Sequence, residues 1–240
     1  MHKLAFLALV LTLSSVTTPA LSQKIPTTDL SGSNKLHDCF RCHGTNGVSS
    51  QSGFPTLAGQ KAEYLRRQLR NFKHTLLGST SHLNSFQFAA LREEFPTRRD
   101  PKMSLVAVAL GDDEIGMLAT KLSRMSCDPS GKTKRKSDAR APQVPKVASR
   151  CFQCHESNGI SASPFIPNLA GQDKQYLITQ IKLFRTSAMG YQVHATEAKR
   201  SHPIMQHQTF QLSEQDIEDV TNYFSALSCS GDHAKAQNTN

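Results

Sequence analysis

Cys39-Phe40-Arg41-Cys42-His43 and, at an offset of 112 residues, Cys151-Phe152-Gln153-Cys154-His155 decide how this chain folds. Two residues between the thiols let both sulfurs reach the two vinyl groups of one porphyrin, and the adjacent His turns its imidazole toward the iron. That is the pattern of covalent c-type haem attachment. A zinc ribbon, in which two Cys-x-x-Cys pairs share one ion, would have to explain a His directly after both pairs, their wide separation and an export signal. A thioredoxin-like redox pair needs a strand ahead of it, and no alternating segment precedes either motif.

Self-comparison extends the match well beyond the motifs. Residues 39–72 align without gaps on residues 151–184, with 16 of 34 positions identical, among them Pro55/Pro167, Leu57-Ala58-Gly59-Gln60 against Leu169-Ala170-Gly171-Gln172, and Tyr64/Tyr176. Residues 103–127 then align on 205–229 at an offset of 102, so the first copy holds ten extra residues between His74 and Pro101, including Phe86, Phe88 and Phe95. The chain is two copies of one unit, 23–127 and 149–229. Each reads as helical: Leu65, Leu69, Phe72 and Leu76 recur at helix spacing, as do Leu177, Ile181 and Phe184. The last helix of the second copy opens on Ser213 and Asp216, a capping-box pattern, and presents Ile217, Val220, Phe224 and Leu227 on one face. Its counterpart opens on Gly111 and Glu114 and presents Ile115, Leu118, Leu122 and Met125. Units this small bury little surface alone, and a large apolar cofactor would complete their cores.

Residues 1–22 read as a signal peptide: a basic start at Met1-His2-Lys3, an apolar run from Leu4 to Leu13 too short to span a bilayer, and small residues before Gln23. The expected location is the periplasm, with the mature chain soluble or loosely membrane-associated in an oxidising compartment. Between the copies, 128–148 carries Lys132, Lys134, Arg135, Lys136 and Arg140 with three prolines and no apolar period, a solvated basic linker. Residues 230–240 form a polar tail. The net charge of +9 would permit nucleic-acid binding, but aromatic residues are not interleaved with the cations as on a stacking platform. Redox proteins with an acidic docking patch are the more economical partners.

The duplication also selects a sixth ligand for each iron. Beyond the initiator, the methionines are Met103, Met117, Met125, Met189 and Met205. Only Met103 and Met205 face each other between the copies, each after a basic Pro-containing loop and before the last helix, where a loop can present a thioether to the far face of the haem. His202 is a rival imidazole, but its counterpart is Asp100, so parity favours methionine. His43/Met103 and His155/Met205 are thus the expected axial pairs, which would set relatively high potentials.

The order Cys-x-x-Cys-His, Pro-x-Leu-Ala-Gly-Gln, Tyr-Leu, then Met ahead of a Leu-Ser-x-x-Asp-Ile helix resembles the dihaem class I cytochromes of the cytochrome c4 type, across both copies. The resemblance implies an all-α chain of two tandem class I cytochrome c domains related by a pseudo-twofold axis, each wrapped around one covalent haem c. It implies delivery of single electrons between respiratory-chain partners, to a membrane-bound terminal oxidase, with no small-molecule substrate. It also casts Pro55 and Pro167 as carbonyl acceptors for the proximal His Nδ1–H. The first copy departs from the family at Lys121-Leu122, where the second has the aromatic pair Tyr223-Phe224. If such an axis exists, the two remaining cysteines, Cys127 and Cys229, lie symmetrically about it and could close a disulfide; the alternative is two helix-end thiols far apart. The alternative functions are a cytochrome subunit of an oxidoreductase, such as a sulfur-compound dehydrogenase or flavocytochrome, and a dihaem peroxidase. A peroxidase needs a displaceable ligand on one iron, and matched methionines argue against one.

Overall fold

The computed structural model describes residues 32–76, 97–128, 142–190 and 197–230. The leader, the phenylalanines of the first copy's extra segment, the linker cations and most of the tail lie outside those residues.

The first half runs α1 (Gly32–His43), a 3-10 turn (Thr45–Gly47), α2 (Ala62–Leu76), β1 (Arg98–Arg99), α3 (Pro101–Val108) and α4 (Asp112–Arg124). The second runs through a 3-10 turn (Lys146–Cys151) into α5 (Phe152–His155), then α6 (Lys174–Ala188), β2 (Lys199–Arg200), α7 (Pro203–Thr209) and α8 (Glu214–Ala226). In each half the long middle helix packs on the Met-bearing helix and the last helix: α2 on α3 and α4, α6 on α7 and α8. The last helices start as their sequences dictate. Ser213 Oγ accepts the Asp216 N–H at 3.1 Å while Asp216 Oδ2 accepts the Ser213 N–H at 2.9 Å. In the first half Glu114 accepts the Gly111 N–H at 2.8 Å, but glycine has no hydroxyl to return the bond.

The apolar stripes of these helices meet in the cores. Leu65, Ala119 and Leu122 form one cluster with Phe40 and Leu57, and Leu110, Ile115 and Leu118 a second. The second half has a single larger core of Ala148, Ala170, Leu177, Val220, Tyr223, Phe224 and Leu227. Its Phe152, Tyr223 and Phe224 rings pack with centroids 5.1–6.2 Å apart. Leu122, in the position of Phe224, fills the equivalent space with one aliphatic side chain. Gly159 illustrates how tight the turn after each motif is. Its φ is +70°, its carbonyl accepts the Leu169 and Ala170 N–H groups, and a Cβ there would stand 2.8 Å from Ala170 N.

Three features differ from the sequence reading. Ala148 is fully buried and Val147 packs beside it, so the second half begins inside the segment 128–148 read as linker, because an apolar pair there completes its core. Met103 and Met205 stand in the first turns of α3 and α7 rather than in loops, with Pro101 and Pro203 at the helix starts. A short sheet also exists: β1 pairs antiparallel with β2, Arg98 opposite Arg200 and Arg99 opposite Lys199.

That ladder is part of a reciprocal interface between the halves. Gln60 takes the Asn168 N–H at 2.8 Å and gives to the Asn168 carbonyl at 2.9 Å; Gln172 does the same to Thr56 at 2.7 and 3.0 Å. The contacts are exchanged between equivalent positions, as about a twofold axis. Beside them the Cys127 and Cys229 sulfurs are bonded, S–S 2.09 Å, with Cα atoms 6.1 Å apart. Gly59 and Gly171 lie against this bridge; a Cβ on Gly171 would stand 3.0 Å from Cys229 Cβ.

Candidate haem sites

Each attachment motif is carried by a helix that ends at its histidine: α1 at His43 and α5 at His155. Both imidazoles are buried, each 6% exposed. His43 Nδ1 lies 2.9 Å from the Pro55 carbonyl oxygen and His155 Nδ1 lies 3.0 Å from that of Pro167. A carbonyl can only accept, so Nδ1 carries the proton and Nε2 keeps its lone pair for a metal. Burial pulls both histidines below their ordinary pKa, only partly offset by the carbonyl, which keeps them in the neutral, ligating form.

The four motif cysteines are unbridged; Cys42 and Cys154 are exposed, Cys39 and Cys151 half-buried. Burial pushes the Cys151 thiol up to about 11, against a small opposing pull from Arg150, and raises Cys39 as well. Among the described residues no three His, Cys, Asp or Glu side chains gather as a metal site, so the two Cys pairs do not converge on one ion as a zinc ribbon requires. The donors fit two separate porphyrins, each covalently anchored and each with one fixed imidazole.

Met103 and Met205 are half-buried, and the two helices that carry them are held differently. Asp100 caps α3, its Oδ1 accepting the Lys102 and Met103 N–H groups at 3.0 and 2.9 Å. At α7 the capping residue is His202, whose side chain makes no cap bond; Gln206 Oε1 instead accepts the His202 N–H at 3.1 Å and the Ser201 hydroxyl at 3.0 Å. His202 Nδ1 is buried without a partner among the described residues. Burial, and then the charges of Arg200 and Arg67, lower its pKa.

Between the two sites lies a set of residues that the sequence reading passed over. Arg98 donates to Gln68 at 2.6 Å and to Tyr176 of the other half at 2.7 Å; Arg200 donates to Gln180 at 2.6 Å and to Tyr64 of the other half at 2.8 Å. Each guanidinium stacks on a ring of its own half, Phe72 or Phe184, at 4.5 Å. Burial alone would raise the Tyr64 pKa, but Arg200 and Arg98 hold it below the ordinary phenol value. The repeated Tyr64/Tyr176, Gln68/Gln180 and Arg98/Arg200 pairs were visible in the duplication; their crossing from half to half was not.

Two helical halves with one covalent haem site each define a two-haem c-type cytochrome, an electron carrier. Comparison with known proteins agrees. A sequence model of the family described as cytochrome c matches residues 145–228. Cytochrome c-554(548) of Halomonas halodenitrificans is 34% identical over 76 residues, covering 32% of this chain and 82% of that protein. A thiosulfate dehydrogenase electron acceptor of Stutzerimonas stutzeri is 28% identical over 196 residues, covering 78% of this chain and 77% of that one. The crystal structure of reduced recombinant cytochrome c4 from Pseudomonas stutzeri superposes with a TM-score of 0.56 at 27% identity, over 82% of this chain and 97% of the other. The chain belongs to the cytochrome c family, as a two-haem protein of the cytochrome c4 type.

Proposed function

We propose that the chain works in the periplasm, exported by residues 1–22, and that Cys39/Cys42 and Cys151/Cys154 hold its two haems as thioethers. His43 with Met103 and His155 with Met205 are the axial ligands, and the Pro55 and Pro167 carbonyls fix the histidines. Bound haem supplies a one-electron ferrous/ferric couple at each site. The chain's own contribution is to keep each imidazole neutral and aimed, to place a thioether on the opposite side, and to hold the two sites in fixed relation. The observation that carries this reading is the duplicated motif whose histidine gives Nδ1–H to a proline carbonyl in both copies. The basic balance of the chain favours a partner with an acidic patch, and a membrane-bound terminal oxidase is the proposed acceptor. Intact mass after acid–acetone extraction should show two haem additions per chain. One addition, or none, would end the reading.

A second reading has specific support: one relative is named a thiosulfate dehydrogenase electron acceptor. On that reading the chain takes electrons from such an enzyme before passing them on. Reduction of the oxidised protein by a thiosulfate dehydrogenase with thiosulfate, at turnover-relevant rates, separates it from the general respiratory role.

A further inference from the structure

Arg98 stands on β1, separated from the start of α3 only by Arg99 and the capping Asp100; Arg200 stands on β2, with Ser201 and His202 ahead of α7. Both guanidiniums are buried, 8% and 9% exposed. Each is held from its own half by a glutamine and a phenylalanine ring, and from the opposite half by a tyrosine hydroxyl. The ladder that aligns Arg98 with Arg200 is closed by the Ser201 N–H on the Thr97 carbonyl at 2.7 Å. A buried guanidinium that loses one acceptor must shift or admit water, because an unmade bond to a charged group is costly. Any such shift moves the strand that feeds directly into the Met-bearing helix.

We propose that each half's axial methionine is positioned by the other half. Tyr176, in the second half, holds Arg98 and through it the start of α3 with Met103. Tyr64, in the first half, holds Arg200 and through it the start of α7 with Met205. The tyrosines are positioning residues and touch neither iron. Arg98 also interacts with Tyr64 of its own half, more weakly than Arg200 does. The short direct bonds are the crossed ones, Arg98 to Tyr176 at 2.7 Å and Arg200 to Tyr64 at 2.8 Å, so the main effect of each hydroxyl is directed at the opposite site. The proposal rests on the assignment of Met103 and Met205 as ligands.

The test uses the full-length holoprotein with Tyr176→Phe and Tyr64→Phe, which remove a hydroxyl and keep the ring. Two readouts report on the iron–sulfur bond: the weak thioether–iron absorption band of the oxidised protein, and imidazole binding to each ferric haem, since imidazole enters where methionine is loosely held. Met103→Ala and Met205→Ala assign the signals to the two sites. Tyr176→Phe should raise imidazole affinity at the Met103 haem about tenfold, equivalent to ~1.4 kcal/mol, and leave the Met205 haem within about twofold. Tyr64→Phe should do the reverse. Arg98→Lys, which keeps the charge but cannot span both acceptors, should match Tyr176→Phe at the Met103 haem, and the double variant should add little to either. A response in the mutated tyrosine's own half, an equal response in both, or none, overturns the proposal. Persistence of the full band in both methionine variants instead overturns the ligand assignment itself.

Discussion

His43 and His155 show how much chemistry a single backbone carbonyl can fix. With Nδ1–H committed to Pro55 or Pro167 at 2.9 and 3.0 Å, the imidazole cannot rotate without losing a buried bond, so its other nitrogen is aimed before any metal arrives. As the proposed sixth ligands, Met103 and Met205 would set the potential. Thioether favours the ferrous state more than imidazole does. Met205→His should therefore lower the midpoint of one haem and leave the other nearly unchanged in a redox titration; two unchanged midpoints would place the sixth ligand elsewhere. Gly171 marks another residue-scale constraint. Its left-handed φ of +66° and its closeness to Cys229 leave no room for a side chain beside the bridge.

At the scale of elements, the helices announce themselves through apolar spacing and caps, and the structure has them where the periodicity points. The last helix of the second half is tied to α6 by Glu214, which pairs with Lys182 at 2.7 Å and with Arg185. Lys182 and then Arg185 hold the Glu214 carboxyl down to about 2 from an ordinary 4.5. The sign follows from linkage: the folded state prefers the carboxylate, so this stabilisation is complete above pH 4.5 and is lost as pH falls toward about 2. Glu214 is 64% exposed, so the contribution is small and screened by salt. Glu214→Gln should lower stability at neutral pH and low ionic strength, with the difference from the parent vanishing by pH 2; an unaltered difference across that range would mean the pair is idle. What the sequence could not announce were elements too short to have a period. Arg98–Arg99 and Lys199–Arg200 carry no alternation, and their pairing is a tertiary event between distant segments. Met103 and Met205 looked like loop residues because two turns of helix behind a proline give too few positions to show a stripe. The haem motifs and the methionine parity were legible because a duplication lets each residue be read against its counterpart. The linker boundary was misjudged because Val147 and Ala148 are too brief an apolar run to stand out from their basic surroundings.

The whole molecule is two halves clasped by reciprocal glutamines, crossed arginines and one bridge whose cysteines are 102 residues apart. A cross-link closing so long a loop restricts the unfolded chain strongly, and typical bridges contribute about 2–4 kcal/mol. Cys127→Ser with Cys229→Ser should reduce unfolding free energy by that order in denaturant titrations, while the glutamine pairs keep the halves docked. A loss well under ~1 kcal/mol would show that the clasp suffices without the bridge.

Fusing the halves into one chain frees them from having to be alike. In a symmetric dimer every substitution would appear at both sites, but here Asp100 precedes one methionine helix and His202 the other. Each proximal histidine feels the arginine of its own half, Arg98 at His43 and Arg200 at His155; at His43 the weaker field of Asp100 works against it, and at His155 no carboxylate does. A nearby negative charge stabilises ferric iron over ferrous, so the first haem should be the harder to reduce. In a stepwise titration the haem of the second half should fill first. That order would make the chain a wire with a slope, in which an electron arriving on the first haem runs downhill to the second and leaves from there.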